Sequence, residues 1–218
     1  MKKAIRILIV DDHDLVRTGI RHMLDSEPSC EVIGEAGSGE DAIELGRSLL
    51  PDVILMDIKM PGIGGLEATR RLIRAVPDVK ILIVTVCTDN LFPSKLLQAG
   101  AFGYLTKGAS LKEMIRAIKS IYSGQRYISP EIASKLAIMH LTEHGESPFE
   151  QLSERELQVT MMIIKGMKPA IISDKLHLSP KTINSYRYRI FEKLNIKNDV
   201  ELTHLAIRHN LLEEIQES

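Results

Sequence analysis

The stretch Ile5-Arg6-Ile7-Leu8-Ile9-Val10-Asp11-Asp12 decides the fold class of this chain. A short apolar run, interrupted only by Arg6, ends on two consecutive aspartates. Nearly continuous apolar runs of this length are typical of strands buried on both faces, as in a parallel sheet. In such sheets the functional groups lie at the carboxyl ends of the strands, so the two aspartates mark a candidate site.

Four further apolar runs alternate with amphipathic helical patterns over the rest of the first 122 residues. The runs cover residues 31–35, 53–56, 81–85 and 103–105, and the helical patterns cover 15–24, 39–50, 66–76, 94–99 and 111–122. This alternation predicts an α/β domain over residues 1–122, with a doubly wound, flavodoxin-like, five-stranded parallel sheet covered by helices on both faces.

The remainder of the chain has a different pattern. Ser129-Pro130 favours the start of a helix over about 130–141, and the polar run that follows predicts a flexible linker, so residues 123–149 are expected to be a linker with a helix. Ser153 and Glu156 have the spacing of a capping box. Helices are predicted over about 154–165, 169–176, 180–194 and 200–209, the last capped by Asp199. The tight turn near residue 177 predicts a small all-α helix-turn-helix domain over 150–212.

Composition favours a soluble protein of ordinary type. The 218 residues are 44% hydrophobic and 26% charged, with a formal net charge of -1. Cys30 and Cys87 have no CxxC or metal-ligand spacing, so both are expected to be reduced packing residues. The apolar run at 5–10 is too short for a signal peptide or a membrane span. We therefore expect a cytoplasmic protein without a membrane partner.

Polar groups follow or end four of the five predicted strands: Asp11, Asp12, Asp57, Thr85 and Lys107. An aspartate after a strand is often only a turn former or helix cap, but five groups at matched strand ends favour one shared crevice. Clustered carboxylates repel one another and favour a divalent cation, and Mg²⁺ combines carboxylates with water and phosphate oxygens. We expect Asp57 to attack a phosphoryl donor as the nucleophile, with Lys107 and the cation neutralising charge.

A basic stretch distinguishes the helical half. Between residues 175 and 197 six lysines and arginines accompany one acidic residue, a local net charge of +5. Such a stretch can be a solvated helix face, but on a predicted recognition helix it is typical of contact with DNA. Ile183, Ile190 and Leu194 form the predicted buried stripe. The candidate DNA-binding residues are Lys181, Thr182, Asn184, Ser185, Tyr186, Arg187 and Arg189.

Taken together, residues 5–122 resemble the receiver domains of two-component signalling. The resemblance implies that Asp57 is the phosphoacceptor, and that Asp11 and Asp12 are the acidic pair that binds Mg²⁺. It also implies that the metal takes the backbone carbonyl of Lys59. A sensor histidine kinase or a phosphotransfer protein is the implied phosphoryl donor.

The resemblance further implies a switch. Thr85 matches the hydroxyl that moves to the phosphate, Lys107 the phosphate-binding lysine, and Tyr104 the aromatic that then rotates inward. A lone tyrosine in a strand is also commonly just half-buried packing, so both interpretations of Tyr104 stay open. Val86, after the switch threonine, and Gly108, after the lysine, depart from the most common receiver pattern. Val86 is expected to affect the lifetime of the phosphoryl group.

Residues 150–212 resemble the LuxR-type effector domain of NarL/FixJ regulators. The matching pieces are Leu152-Ser153-Glu154-Arg155-Glu156, Lys165-Gly166, Leu178-Ser179-Pro180-Lys181-Thr182-Ile183 and Lys193-Leu194. Residues 184–189 and 200–209 look especially like the GacA/UvrY/SirA group. The resemblance implies a transcription regulator that binds double-stranded DNA, forms a homodimer when active and has no enzymatic activity beyond its own phosphoryl transfer and dephosphorylation. Pro169 and Ile171 depart from the family pattern, which leaves DNA affinity open.

The sequence disfavours two other classes of function. A phosphohydrolase or nucleotide-binding enzyme is disfavoured because Asp57-Ile58-Lys59 lacks the DxD spacing, and no glycine-rich phosphate loop follows the first strand. Gly62-Ile63-Gly64-Gly65 fits an ordinary loop better. A DNA-binding protein with a vestigial receiver is disfavoured because the acidic pocket is intact.

Overall fold

The computed structural model describes residues 3–86, 91–134, 137, 147–176 and 178–209, with only the backbone at 91–94, 150 and 154. The chain divides into two compact units, Met1–Thr142 and Glu143–Ser218. None of the helices in these described ranges combines the length and apolarity that spanning a bilayer requires.

The first unit is built on a parallel sheet. Its strands are β1 (Ile5–Val10), β2 (Cys30–Ala36), β3 (Val53–Met56), β4 (Lys80–Thr85), β5 (Gly103–Thr106) and β6 (Tyr127–Ile128), in the spatial order β2-β1-β3-β4-β5-β6. Every neighbouring pair is parallel. The predicted doubly wound fold is confirmed, and the sheet gains one strand beyond the predicted five.

Five helices cover this sheet: α1 (Asp14–Asp25), α2 (Gly39–Leu49), α3 (Gly64–Ala75), α4 (Leu91–Gln98) and α5 (Leu111–Tyr122). Ile7 and Ile9 of β1 pack into one apolar cluster with residues of α1 and α5. Side chains alternate along a strand, so Leu8 points to the opposite face, where it lies beside Gly34 and α2. The sheet is therefore buried on both faces, as its unbroken apolar strands predict.

The sixth strand lies within the segment predicted to be a linker. Tyr127 pairs with Gly103 and Ile128 with Tyr104, and the backbone N–H of Ser129 donates to the carbonyl of Tyr104 at 3.1 Å. A two-residue strand is too short for hydrophobic periodicity to indicate. Of the helix predicted at 130–141, residues 130–134 and 137 are helical, and the rest lies outside the described residues.

The described residues of the second unit form helices and the turns between them. A 3₁₀ turn (Pro148–Gln151) precedes α6 (Glu154–Ile164), α7 (Pro169–Leu176), α8 (Pro180–Leu194) and α9 (Asp199–Arg208). The predicted stripe of Ile183, Ile190 and Leu194 is buried, and the capping box of Ser153 and Glu156 is formed. The helix-turn-helix geometry of α7 and α8 is thus held by an aliphatic core.

The prediction that Asp199 caps the last helix was wrong by one residue. Asn198 is the N-cap: its backbone is extended, and its side chain accepts a hydrogen bond from the N–H of Glu201 at 2.9 Å. Asparagine and aspartate are comparably good caps, so two of them in succession leave the boundary undecided in the sequence. The carboxylate of Asp199 instead pairs with Arg187 of α8.

A buried carboxylate joins two helices of the second unit. Glu156 is 3% exposed; its side chain accepts from the N–H of Ser153 at 2.8 Å and lies 2.5 Å from Nζ of Lys193 on α8. Burial alone would raise the pKa of Glu156, but the hydrogen bonds from Lys193 and Ser153 and the lysine's charge together lower it. One side chain therefore caps α6 and ties it to α8.

Replacing this carboxylate with an amide should destabilise the second unit. We expect Glu156→Gln to lower the free energy of unfolding by about 1–2 kcal/mol, since a cap is weakened and a partly exposed lysine loses its partner. Because the pKa of Glu156 is lowered on folding, its stabilisation is full above the ordinary pKa of glutamate and is lost as the pH falls through the lowered value. Urea unfolding at neutral and acidic pH measures both effects. Asp174→Asn, at an exposed position of α7, is the control, and an equal loss in both variants would contradict the prediction.

Candidate functional site

The ends of three strands bring the predicted acidic groups and lysine together. The N–H of Asp57 donates to the carbonyl of Val10 at 2.8 Å, which fixes the end of β3 beside the end of β1. The N–H of Lys107 donates to the carbonyl of Thr85 at 2.9 Å, which fixes the residue after β5 beside the end of β4. The backbone ladder thus sets the positions of the side chains before any of them interact.

Lys107 bridges two buried aspartates. Its Nζ lies 2.5 Å from Oδ2 of Asp11 and 2.8 Å from Oδ2 of Asp57, whose side chains are 2% and 3% exposed. Burial lowers the pKa of Lys107, but the hydrogen bonds and negative charges of the two carboxylates outweigh it and raise the pKa above the ordinary value. The lysine therefore stays protonated and is a permanent positive charge in the pocket.

The second oxygen of Asp57 is held by the backbone that follows it. Oδ1 accepts from the N–H of Ile58 at 2.6 Å and from that of Lys59 at 3.4 Å. These contacts orient the carboxylate and leave Oδ2 toward the lysine. The contribution of the Lys59 carbonyl to a metal site stays a prediction.

Four side chains could share a metal ion at this edge of the sheet. Asp11, Asp12, His13 and Asp57 each place a potential ligand atom within 4.8 Å of the others. The three carboxylates are hard oxygen ligands that suit Mg²⁺, and two of them are buried, so the donor set fits the predicted cofactor. His13 was missed by the sequence analysis; its Nδ1 lies 2.8 Å from Oδ1 of Asp12. Its position directly after the aspartate pair was the available signal.

Thr85 and Tyr104 lie on neighbouring strands behind the pocket. Thr85 pairs with Thr106, and Ile83 with Tyr104, in the ladder between β4 and β5. Both Thr85 and Tyr104 are fully buried. The Tyr104 ring is thus fully rather than half buried, which fits structural packing as well as a switch. Its role as a switch stays a prediction.

The predicted DNA-binding residues occupy α8. Lys181, Asn184, Ser185 and Arg189 are exposed, whereas Thr182, Tyr186 and Arg187 are partly buried. The hydroxyl of Thr182 lies 2.8 Å from that of its N-cap, Ser179. Arg187 pairs with Asp199. The first turn of α8 therefore offers a basic, polar surface. The predicted DNA-binding residues differ in exposure, and Thr182 and Arg187 already have partners within the domain.

Two residues that hold the chain between Asp57 and α3 were missed by the sequence analysis. A Cβ at Gly65 would lie 2.1 Å from the carbonyl oxygen of Asp57 and 2.8 Å from Cα of Ile58, so only glycine fits there. Glu40 of α2 accepts a hydrogen bond from the N–H of Ile63 at 3.1 Å and holds the loop before α3. Four closely spaced residues with three glycines, 62–65, were the signal, interpreted only as a loop.

Adding one methyl group at Gly65 should displace the loop that carries Asp57. We expect Gly65→Ala to lower the free energy of unfolding by about 1–3 kcal/mol, because the contact is with backbone and cannot be relieved by a rotamer change. We also expect Mg²⁺ to raise the Tm of the wild type and to give no such rise in the variant. Calorimetry with and without Mg²⁺ measures both quantities. Gly19→Ala, where a Cβ meets nothing within 4 Å, is the control; matching behaviour of the two variants would refute the steric argument.

Two family models match the chain. Residues 7–119 match the response regulator receiver domain, and residues 150–206 match the bacterial regulatory proteins of the luxR family. The first match contains the acidic pocket and Lys107, and the second contains α6 to α8 and most of α9.

Curated relatives match over nearly the full length. The chain is 59% identical to the response regulator GacA of Pseudomonas protegens, covering 96% of this chain and 98% of that protein. It is 58% identical to the response regulator UvrY of Escherichia coli K12, covering 95% of each. RcsB from Salmonella enterica serovar Typhimurium, solved bound to promoter DNA with a phosphomimetic, shares the fold with a TM-score of 0.61 at 24% identity, covering 93% of this chain and 98% of that one. The predicted likeness to the GacA and UvrY group is confirmed, and the chain belongs to the two-component response regulators that combine a receiver domain with a LuxR-type DNA-binding domain.

Proposed function

We propose that phosphorylation of Asp57 controls dimerisation, DNA binding and transcription by this regulator. The observation that carries the proposal is the bridge of Lys107 between Asp11 and Asp57, which places a fixed cation against the buried nucleophile. A carboxylate oxygen of Asp57 attacks the phosphorus of the donor, and the bond between phosphorus and the leaving group breaks. The product is an acyl phosphate whose added charge Lys107 partly neutralises.

The same pocket is proposed to hold Mg²⁺ through Asp11, Asp12, Asp57 and the backbone carbonyl of Lys59. When bound, the ion supplies charge neutralisation for the phosphoryl oxygens. The chain's own part is orientation, since the N–H groups of Ile58 and Lys59 fix Oδ1 of Asp57. A sensor histidine kinase or a phosphotransfer protein is the proposed donor. Beyond its own phosphoryl transfer and dephosphorylation, the receiver is proposed to catalyse nothing.

The signal is proposed to pass from the phosphate to Thr85 and then to Tyr104. Both side chains are buried on adjacent strands next to the pocket. A new acceptor at Asp57 favours movement of the Thr85 hydroxyl toward it, which changes the space that the Tyr104 ring occupies. Local charge is thereby coupled to a two-state rearrangement of the receiver surface.

DNA binding is proposed to use α8, with contacts from Lys181, Thr182, Asn184, Ser185, Tyr186 and Arg189, while Arg187, predicted with them, pairs with Asp199. RcsB, which shares this fold, has been solved on promoter DNA and as two dimers bound to two parallel DNAs. A homodimer on paired half-sites is therefore proposed for the active form. Binding to chromosomal DNA would place the protein in the cytoplasm.

Phosphoryl incorporation tests the proposed acceptor directly. With acetyl phosphate and Mg²⁺, intact mass should show one added phosphoryl group on the wild type and none on Asp57→Asn or without the metal. Asp41→Asn, an exposed position of α2, should incorporate like the wild type. Continued turnover of acetyl phosphate far beyond one equivalent, without accumulation of labelled protein, would instead favour a hydrolase.

The switch role of Thr85 makes a separable prediction. Thr85→Ala should still accept a phosphoryl group, because the nucleophile and Lys107 are intact, but it should not dimerise in response. Sedimentation velocity with and without acetyl phosphate measures this, with intact mass as the control for labelling. A labelled Thr85→Ala that dimerises like the wild type would remove Thr85 from the signal path.

A further inference from the structure

Arg187 of the recognition helix α8 is held by a carboxylate from the next helix. Its Nη2 lies 2.6 Å from Oδ2 of Asp199, and its Nε lies 3.3 Å from Oδ1, so the contact is two-pronged. The guanidinium also lies 5.6 Å from the ring centroid of Phe191. Nη1 of Arg187 also lies 3.5 Å from Oδ1 of Asn184 on the same helix. The guanidinium is therefore held by partners within the domain, chiefly by the Asp199 carboxylate.

The position of Arg187 on α8 agrees with these contacts. Residues four apart share a helix face, so Arg187 lies above Ile183, which is buried, and below Phe191, which is partly buried. Lys181 and Ser185, four apart on a different face, are both exposed. Arg187 is thus on the flank of α8 that turns toward α9, between the buried stripe and the exposed polar face, where its Nη1 lies 3.5 Å from Oδ1 of Asn184.

We propose that Asp199 withholds Arg187 from DNA, so that the two residues act as one neutral unit that positions α8 against α9. The proposal rests on the proposed DNA-binding function of α8. Arginine contacts to phosphate strengthen binding to every sequence alike, whereas specificity depends on the ratio of specific to non-specific affinity. A carboxylate that occupies one flexible cation lowers non-specific affinity without removing a base contact. Asp199 would then be a specificity-determining residue that does not touch DNA.

The salt dependence of DNA binding tests the proposal on the full-length protein. The probe is a short fluorescent duplex of arbitrary sequence, and anisotropy titrations at several salt concentrations give the slope of log K against log [salt]. The variants are Asp199→Asn, which frees the arginine, and Asp199→Asn with Arg187→Gln, which replaces a neutral pair by another neutral pair. Glu192→Gln, at an exposed position of α8, makes the same change in net charge without freeing Arg187. Urea unfolding of each variant accompanies the titrations.

We expect Asp199→Asn to bind more tightly than the wild type at low salt, with a slope steeper by about 0.9, the value for one added phosphate contact. The double variant should keep the wild-type slope, and Glu192→Gln should not steepen it. A double variant with a slope shallower by about 0.9 would overturn the proposal, because Arg187 would then already contact phosphate in the wild type. An Asp199→Asn slope no steeper than that of Glu192→Gln would overturn it as well.

A failure of the proposed DNA-binding function would give a result that differs from a failure of the role of Asp199. A folded wild type and variants that show no salt-dependent binding to any duplex would overturn DNA binding by α8 together with the role of Asp199. If Asp199→Asn alone fails to unfold cooperatively, the comparison of the double variant with the wild type decides, since both have the same net charge.

Discussion

The ion triad of Asp11, Lys107 and Asp57 is the interaction on which the receiver depends. Two carboxylates that are almost fully buried would repel each other and lose hydration, and a single lysine compensates both. The lysine can do so only because β1, β3 and β5 end at one edge of the sheet, which in turn requires the buried parallel ladder. Anything that brings further negative charge to Asp57 must change how this lysine is shared. The sharing of Lys107 therefore both stabilises the buried carboxylates and provides the contact that the proposed phosphorylation of Asp57 would alter.

The second unit also contains carboxylates that pair with basic side chains, but there the ion pairs join helices. Glu156, buried and shared between a helix cap and Lys193, joins α6 to α8, while Asp199 joins α8 to α9 through Arg187. Both pairs connect α8 to a neighbouring helix. In the receiver the buried charge surrounds Asp57, the proposed phosphoacceptor, whereas in the second unit it orients a helix whose exposed face is available for binding. The basic surface of α8 is thus presented by a helix that ion pairs join to both α6 and α9.

Much of this architecture could be predicted from the sequence, because long-range order in a parallel sheet follows from the alternation of elements. Asp11, Asp57 and Lys107 were placed together from their positions after strands alone. Predictions were weaker where a short-range competition decides the outcome. Asn198 and Asp199 have comparable capping preferences in the sequence. In the structure Asn198 is the cap, and Asp199 pairs with Arg187 instead. A side chain at Gly65 would collide with the Asp57 carbonyl, and no pattern in the sequence indicates this. The partner of Arg187 lies on a different helix, so helical periodicity does not identify it.

The short strand β6 covers the edge of the receiver sheet next to β5. Without it, β5 would be the outermost strand and would expose the carbonyls of Phe102 and Tyr104, which accept hydrogen bonds from the N–H groups of Tyr127 and Ser129. A fragment that ends at Tyr122, the last residue of α5, would keep every residue of the acidic pocket. It would nevertheless expose an unpaired edge strand to which other copies of the fragment could bind. Pairing between the β5 strands of two such fragments would produce a contact that β6 blocks at this edge of the intact chain. The sensible unit for isolating the receiver therefore extends beyond Ser129, whose N–H completes the pairing with the strand that carries Tyr104.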